Sequence, residues 1–279
     1  STPRMSMARV RGGLAIGLLL LLCAAMVAFL SRSRDIFLRS SRLGVPSLRN
    51  NRVAGLSRLS RRIRPQIGPT GASAFASAPD AKRVLVCIAD GSEEIETSGI
   101  YDTLIRGGVD ARLVKVGGSD KADLKCKMSR GMTFVAESHL EDLDEKAEAF
   151  DMVVLPGGLP GAQTFASSPR LLSMLKDRKD NGQWYAAICA SPAVVLEPNG
   201  LLPGKATCFP GLQDKIASQL SNDPSASRVV IDNDCKVVTS QGPGTTMEFG
   251  VELLSILVGD EKADEVAKGL LIQRAAVPA

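Results

Sequence analysis

The stretch WYAAICASPAVVL, residues 184–196, decides the fold of this chain. Its first residues, up to Ile188, form an apolar run typical of a buried strand. The residues after Cys189 have the pattern of a helix start, with Pro192 at the first position and Ser191 placed to cap it. Cys189 lies between the two among small neighbours, as a sharp strand-to-helix turn requires. The pattern predicts a nucleophile elbow that carries sulfur in place of a hydroxyl.

This turn allows two interpretations of Cys189. A helix start supplies free backbone N–H groups and a partial positive charge, and both favour a reactive thiolate over a thiol. Free cysteine is also among the most buried residue types, so an inert cysteine packed at a tight turn is the alternative. The turn by itself does not decide between them.

Strand-like and helix-like segments alternate on both sides of the turn. Strands are predicted at residues 83–88, 111–116, 132–136, 152–155, 184–188, 205–208, 228–231 and 236–239. Helices are predicted at residues 93–106 (with Ser92 as the cap), 140–149, 168–179, 245–258 and 262–271. Apolar strands separated by helices indicate an α/β fold with a mostly parallel sheet covered on both faces.

Four loops are expected at the carboxyl ends of these strands, which is where open parallel sheets bind their ligands. They are residues 89–96, residues 156–161, the turn at Cys189, and residues 241–245. Because these strand ends meet at one edge of a sheet, the four loops together predict a single site.

Side chains and backbone groups in two of these loops suit cysteine chemistry. Glu93, Glu94 and Glu96 occupy the first turns of a helix, where acids ordinarily serve the helix dipole. Glu96 lies deepest, so we expect it to face the site. A carboxyl pressed against a thiolate has a raised pKa and can donate a hydrogen bond to sulfur. Gly157 and Gly158 offer backbone N–H groups to a developing oxyanion, or else form a plain turn.

The other polar candidates are few. His139 is the single histidine, which excludes most metal sites and most Cys–His dyads. Its acidic neighbours predict a surface position at a helix start. Arg106 and Arg130 are candidates for holding an acidic group near the site or at a subunit boundary, and a surface ion pair is the more common outcome for each. The six cysteines show no regular spacing and give only weak evidence for disulfides.

The charge of the chain is divided between two segments. Residues 1–79 carry 13 Arg, no Lys and one acid, for a net charge of +12. Residues 80–279 carry 21 basic and 29 acidic residues, for a net charge of −8. The positive total therefore describes neither segment, and we expect no nucleic-acid partner. The second segment has the length of one sizeable domain.

Residues 1–79 have the composition of a targeting leader. Residues 13–30 are an uncharged apolar run, close in length to a membrane span if helical. Residues 31–69 are rich in Arg and Ser with Asp35 as their acid, like an organelle transit peptide. We expect a leader that is mostly disordered apart from the apolar helix and that directs the domain at 80–279 to a plastid rather than a mitochondrion. The alternative is an uncleaved signal anchor, the only membrane contact we expect.

Four motifs together resemble the DJ-1/PfpI superfamily, and its DJ-1 branch in particular. They are ADGSEEIET (89–97), VVLPGGLPGAQ (153–163), AAICASP (186–192) and TSQGPGTTMEF (239–249). The resemblance covers about residues 82–271. TCFP at residues 207–210 is similar to the bacterial YajL type.

The resemblance implies a flavodoxin-like three-layer α/β sandwich, usually a homodimer. It implies that Cys189 is the reactive cysteine and that Glu96 is the acid hydrogen-bonded to it. The residues that frame the pocket would be Gly157, Gly158, Ala190 and Ser191. Where some members have a histidine near the cysteine, this chain has Phe209. A cysteine peptidase or amidotransferase would therefore lack its base.

The function that we expect is a cofactor-free glyoxalase or deglycase that acts on methylglyoxal-type reactive carbonyls or on glycated adducts. Cys189 would be the nucleophile and Glu96 the proton carrier, with no metal and no glutathione. The alternative is a non-enzymatic redox sensor or holdase chaperone that works through oxidation of Cys189.

Overall fold

The computed structural model describes residues 81–144, 149–221 and 228–274. The predicted leader at residues 1–79, with its apolar segment at 13–30, lies outside these residues. Within the described ranges, no helix is long and apolar enough to cross a membrane.

Strands and helices alternate along most of the described chain. The strands are β1 (Arg83–Ile88), β2 (Asp110–Lys115), β3 (Lys125–Lys127), β4 (Thr133–Val135), β5 (Ser138–His139), β6 (Met152–Leu155), β7 (Trp184–Ile188), β8 (Val229–Asp232) and β9 (Val237–Ser240). The α-helices are α1 (Glu94–Arg106), α2 (Leu159–Ala166), α3 (Pro169–Asp180), α4 (Thr246–Val258) and α5 (Asp260–Gly269).

Seven of these strands form one sheet in the order β5-β2-β1-β6-β7-β9-β8. All neighbouring pairs in it are parallel except β8 and β9, which pair antiparallel. The other two strands, β3 and β4, form a separate antiparallel hairpin. The predicted α/β fold with a mostly parallel sheet is confirmed.

The sheet buries both of its faces, because successive residues of a strand point to opposite sides. Leu85 belongs to a core on one face that includes Phe165 of α2 and residues of α3. Val86, the next residue, belongs to a second core that includes Ile100 of α1 and residues of α4 and α5. Helices therefore cover the sheet on both sides, which gives the three layers expected of the fold.

Several predicted elements differ in detail. Helix α1 is capped by Glu93 rather than Ser92, whose hydroxyl accepts the Ala89 N–H instead. Residues 205–208 form no strand, only a single bridge at Ala206, because the N–H of the next residue donates to a side-chain hydroxyl of β9. Helix α2 begins at Leu159, inside residues 156–161, which were expected to form a loop. The hairpin partner β3 was not predicted.

His139 is not a surface residue at a helix start. It belongs to β5 and is 3% exposed. Its Nε2 lies 2.9 Å from the Gly117 carbonyl oxygen, and its Nδ1 accepts the Glu141 N–H. The helix predicted at residues 140–149 is also wrong in the part that the structure describes. A short 3₁₀ turn, Leu140–Asp142, stands at its start instead. The histidine fastens this turn to the loop that follows β2.

Candidate active site

Cys189 occupies the sharp turn that follows β7. Its φ is +64°, a left-handed conformation that residues other than glycine rarely adopt. Its N–H donates to the Ser240 carbonyl at 2.9 Å, and its own carbonyl accepts the Phe209 N–H at 2.8 Å. Because both of its backbone groups are bonded to other elements, the surrounding structure holds the strained turn in place. The predicted nucleophile elbow is present.

Ser191 ties the elbow to the loop that follows β6. Its backbone is already helical, and its hydroxyl donates to the Pro156 carbonyl at 2.6 Å. The prediction that it caps the next helix is wrong, because the hydroxyl faces this neighbouring loop. The segment after it, Pro192–Leu196, is a single π-type turn.

Two glycines of that loop let three groups approach one another. A Cβ at Gly157 would lie 2.5 Å from the Cys189 Cβ and 2.9 Å from Glu96 Oε2, so only glycine fits between these side chains. Gly158 has a φ of +85°, and a Cβ there would collide with the Gly91 carbonyl oxygen. The cysteine, the acid and the loop are therefore in direct contact.

The Cys189 sulfur accepts hydrogen bonds from two backbone N–H groups, those of Gly158 and Ala190. Donors of this kind favour the thiolate and so lower the pKa of the thiol. Backbone N–H groups beside a nucleophile are also the kind of donor that stabilises a developing oxyanion.

Glu96 is fully buried beside the sulfur. Its Oε2 accepts the Gly157 N–H at 2.6 Å, whereas its Oε1 has no hydrogen-bond partner among the described residues. Oε1 and the Cys189 sulfur lie 4.0 and 3.9 Å from the position of a Cβ at Gly242, so both face the same small space. Burial raises the pKa of Glu96 from its ordinary value of 4.5 to about 7, against the lowering effect of the hydrogen bonds. The carboxyl therefore takes up a proton near neutral pH.

The charge of Glu96 controls the charge of Cys189. Burial, followed by the neighbouring Glu96 carboxylate, raises the pKa of the thiol to about 12, although the two N–H groups lower it. Protonation of Glu96 removes this repulsion and turns the carboxyl into a donor toward the sulfur. The backbone N–H groups of the helix start do not by themselves offset these two effects, and the turn had left open whether Cys189 is a thiolate or an inert thiol. Because the pKa of Glu96 lies below that of the thiol, the carboxyl ionises first, and the thiolate requires that the carboxyl take up the thiol proton.

The three acids at the start of α1 have three different contacts. The Glu93 carboxylate caps the helix by accepting the Glu96 N–H at 2.8 Å. Glu94 points toward the β3–β4 hairpin, where it accepts the Ser129 hydroxyl at 2.9 Å and the Arg130 N–H at 2.5 Å. Glu96 is the one that reaches the sulfur, as its depth in the helix had suggested.

Cys189 opens into a cleft of about 1030 Å³ beyond the carboxyl ends of the strands. Its larger apolar residues are Met128, Leu159, Pro160, Phe209, Leu212 and Pro243. Its polar side chains are Asp90, Glu93, Lys127, Ser129 and Arg130. Phe209 is 45% exposed, so a hydrocarbon ring rather than a base stands beside the cysteine at this position.

The structure brings one of the two candidate arginines to this cleft. Arg130 lines it. Arg106 ends α1, and the ten-residue separation from Glu96 along the helix places it about 15 Å away. Arg106 instead forms an ion pair with Asp102 at 2.7 Å on the surface, which was the more common outcome expected for it.

Sequence reasoning missed the cleft wall that residues 127–131 form. Strand β3 has three residues, too short for a clear strand pattern, whereas β4 lies within the strand predicted at 132–136. The alternation of charged and apolar residues at 125–128 (KCKM) was the available signal in the sequence. In the ranges that the structure describes, no group of His, Cys, Asp or Glu side chains is arranged to hold a metal ion.

Comparison with known proteins gives consistent matches. The model of the DJ-1/PfpI family matches residues 82–256. Protein DJ-1 homolog A of Arabidopsis thaliana is 42% identical over 194 residues, which cover 69% of this chain and 47% of that protein. The chain spans about half or less of the Arabidopsis relatives, since the figure for DJ-1 homolog B is 41%.

Two further matches cover nearly the whole of the similar protein. The Caenorhabditis elegans protein named glutathione-independent glyoxalase DJR-1.2 is 33% identical over 183 residues, covering 66% of this chain and 92% of that protein. The solved structure of Toxoplasma gondii DJ-1 in its oxidized form is 39% identical with a TM-score of 0.62, covering 69% of this chain and 99% of that one.

Proposed function

Because the chain belongs to the DJ-1/PfpI family, we propose that it converts small 2-oxoaldehydes, such as methylglyoxal, into 2-hydroxy acids with its own side chains. The observation that carries the proposal is the buried Glu96 carboxyl, with one oxygen unpartnered, beside the Cys189 sulfur. This arrangement supplies a nucleophile and a proton carrier in one site. A relative of this chain is named a glutathione-independent glyoxalase, which supports the same chemistry.

In the first step the Glu96 carboxylate takes the proton of the Cys189 thiol, and the sulfur attacks the aldehyde carbon, so that a carbon–sulfur bond forms. The electron pair of the carbonyl moves to its oxygen. The Gly158 and Ala190 N–H groups stabilise the negative charge there. Glu96 then gives its proton to that oxygen, which leaves a hemithioacetal and a carboxylate.

In the second step the Glu96 carboxylate removes the hydrogen from the first carbon, and the electrons shift to the oxygen of the second carbon. Glu96 returns the proton to the second carbon, while the hydroxyl proton of the first passes to the oxygen of the second. One carbon is oxidised and its neighbour is reduced, so no external oxidant or reductant is needed. Water then cleaves the thioester, which releases the 2-hydroxy acid and restores the thiol.

The proposal predicts that the purified protein forms lactate from methylglyoxal and that Cys189→Ala and Glu96→Ala each reduce kcat/KM at least a hundredfold, because each removes a reacting group. Lactate measured by a coupled assay gives the rates, and circular dichroism gives the fold of each variant. Cys235→Ala, at a half-buried cysteine outside the cleft, is the matched control. Full activity in either site variant would refute the mechanism.

Oxidation of Cys189 is a second candidate function, favoured by the same unpartnered Oε1. A protonated Glu96 would donate to a sulfinate oxygen, formed as two molecules of peroxide transfer one oxygen each and leave as water. Mass spectrometry after mild peroxide treatment tests this role as a redox sensor or holdase. The role fails if another thiol gains two oxygens before Cys189 does.

A further inference from the structure

Two cations line the cleft into which Cys189 opens. They are Lys127 and Arg130, on the wall formed by residues 127–131. Neither side chain has an ion-pair partner among the residues that the structure describes. Two unpaired cations on one side of a concave site make a place for an anion.

The acids of the same cleft are already engaged by backbone donors. Asp90 accepts the Lys127 N–H at 2.7 Å through Oδ1. Glu93 accepts the Glu96 N–H through Oε2 as the cap of α1. Each carboxylate keeps its charge, but its position is fixed by a backbone donor, and Lys127 and Arg130 are the charged side chains that the wall at residues 127–131 itself presents to a ligand.

The backbone that carries the two cations is held in place before any ligand arrives. The Lys127 carbonyl accepts the Gly91 N–H, and the Ser129 N–H donates to the Ser92 carbonyl, both at 2.8 Å. The buried Glu94 carboxylate accepts the Arg130 N–H. The backbone of the wall is therefore ordered before binding, and only the two side chains lose conformational entropy when a ligand binds.

The cleft is also larger than a three-carbon aldehyde requires. Its volume of about 1030 Å³ lies at the upper end of the range for drug-sized ligands. Met128, Leu159 and Phe209 supply apolar surface between the cysteine and the outside. A longer substrate could place its carbonyl on Cys189 and its other end on the cationic wall.

We propose that Lys127 and Arg130 make this site selective for 2-oxoaldehydes that carry an anionic group, either a carboxylate or a phosphate. The inference rests on the proposed function and names its substrate class. Arg130 offers a planar fork of N–H donors that matches both anions, and Lys127 adds a point charge. Each charge-assisted contact favours the anionic substrate, whereas a neutral aldehyde gains nothing from it.

Steady-state kinetics on the full chain tests the selectivity. The probes are dioxopentanoate, which has a terminal carboxylate, its neutral methyl ester, and the phosphate ester of hydroxypyruvaldehyde. We expect kcat/KM for at least one anionic probe to exceed that of the methyl ester about tenfold. The preference should fall about tenfold in Arg130→Met and drop in Lys127→Met. It should be kept in Lys125→Met, which removes an exposed lysine of β3 that does not line the cleft.

The two anions distinguish the source of the ligand, since a preference confined to one of them identifies a carboxylate or a phosphate substrate. A neutral ester that is used as well as both anions overturns the inference. So does a preference that survives in the Arg130→Met, Lys127→Met double variant with its fold intact by circular dichroism.

Alkylation of Cys189 tests the same wall without turnover. We expect the rate with N-iodoacetyl-β-alanine, whose carboxylate lies at the far end of the reagent, relative to its neutral methyl ester to fall about tenfold in Arg130→Met and to stay unchanged in Lys125→Met, with mass spectrometry to locate the label. If no aldehyde is turned over but this ratio falls, the proposed function fails and the anion selectivity stands. If the ratio does not respond to either cleft cation, the selectivity is refuted whether or not the enzyme is active.

Discussion

One proton on Glu96 links the stability of this site to its chemistry. The carboxyl is fully buried, and its pKa of about 7 reflects the cost of placing a negative charge there. The same proton is the one that the sulfur needs nearby to exist as a thiolate. Raising the pH through 7 therefore removes the donor while it charges a buried group. The free energy of unfolding should therefore decline as the pH rises above this value.

Glu96→Gln should change how stability depends on pH. A carboxyl with a higher pKa in the folded than in the unfolded chain stabilises the folded state below 4.5, its unfolded value, and this stabilisation is lost as the pH rises through about 7. The shift corresponds to roughly 3 kcal/mol. Glutamine never ionises. The free energy of unfolding of the variant minus that of the wild type should therefore increase by roughly 3 kcal/mol between about pH 5 and about pH 8.

Urea unfolding of both proteins at several pH values measures this difference. Glu265→Gln is the control, since it removes an exposed carboxyl that pairs with Lys262. The difference in free energy of unfolding between Glu265→Gln and the wild type should stay constant between about pH 5 and about pH 8. Parallel pH profiles for wild type and Glu96→Gln would show that the buried carboxyl is not the group that titrates.

The elements that the sequence predicted well are those whose side chains alternate between two buried faces or end at a clear stop signal. Strand β1 was predicted with its observed bounds, and α4 begins one residue later than expected. Glu96 was placed correctly because depth in a helix is a local property. Short elements were harder to predict. The hairpin of β3 and β4 and the burial of His139 depend on contacts with distant residues, which a local pattern does not contain.

The start of α1 shows why some roles needed the structure. Three acids follow one another at residues 93–96 with little in the sequence to separate them. Glu94 became an anchor for the hairpin only because residues 129–132 fold back against it. Burial would raise its pKa, but hydrogen bonds from its own backbone, Ser129, Arg130 and Met132 outweigh burial and lower it. The carboxylate is thus retained well below neutral pH.

Glu94→Gln should loosen this hairpin. The amide offers one acceptor where the carboxylate offers two, so one donor of the hairpin loses its partner, at a cost of about 1–3 kcal/mol in the free energy of unfolding. Hydrogen exchange should quicken at the Arg130 and Met132 amides. Glu261→Gln is the matched control, because it removes an acid from the first turn of α5. Unchanged exchange at both amides would mean that the backbone bonds alone hold the hairpin.

At the scale of the whole chain, the segment at residues 1–79 and the domain have opposite charge. The domain at 80–279 carries −8, and its cleft is lined by two cations, Lys127 and Arg130, and two acids, Asp90 and Glu93. Residues 1–79 carry +12 with no lysine. The expected homodimer also belongs to this scale and stays a prediction, which light scattering in solution would check.

Residues 1–79 should direct a fluorescent protein to plastids, because their arginine-rich, acid-poor composition is that of a transit peptide. Confocal microscopy of leaf protoplasts that express the fusion measures this. Changing Arg58, Arg61, Arg62 and Arg64 to glutamine should reduce import, whereas changing them to lysine should preserve most of it if positive charge is what is recognised. Fluorescence in mitochondria would contradict the choice of organelle. Fluorescence fixed at the endoplasmic reticulum or plasma membrane would favour the signal anchor instead, since the apolar run at 13–30 would then be retained in the bilayer.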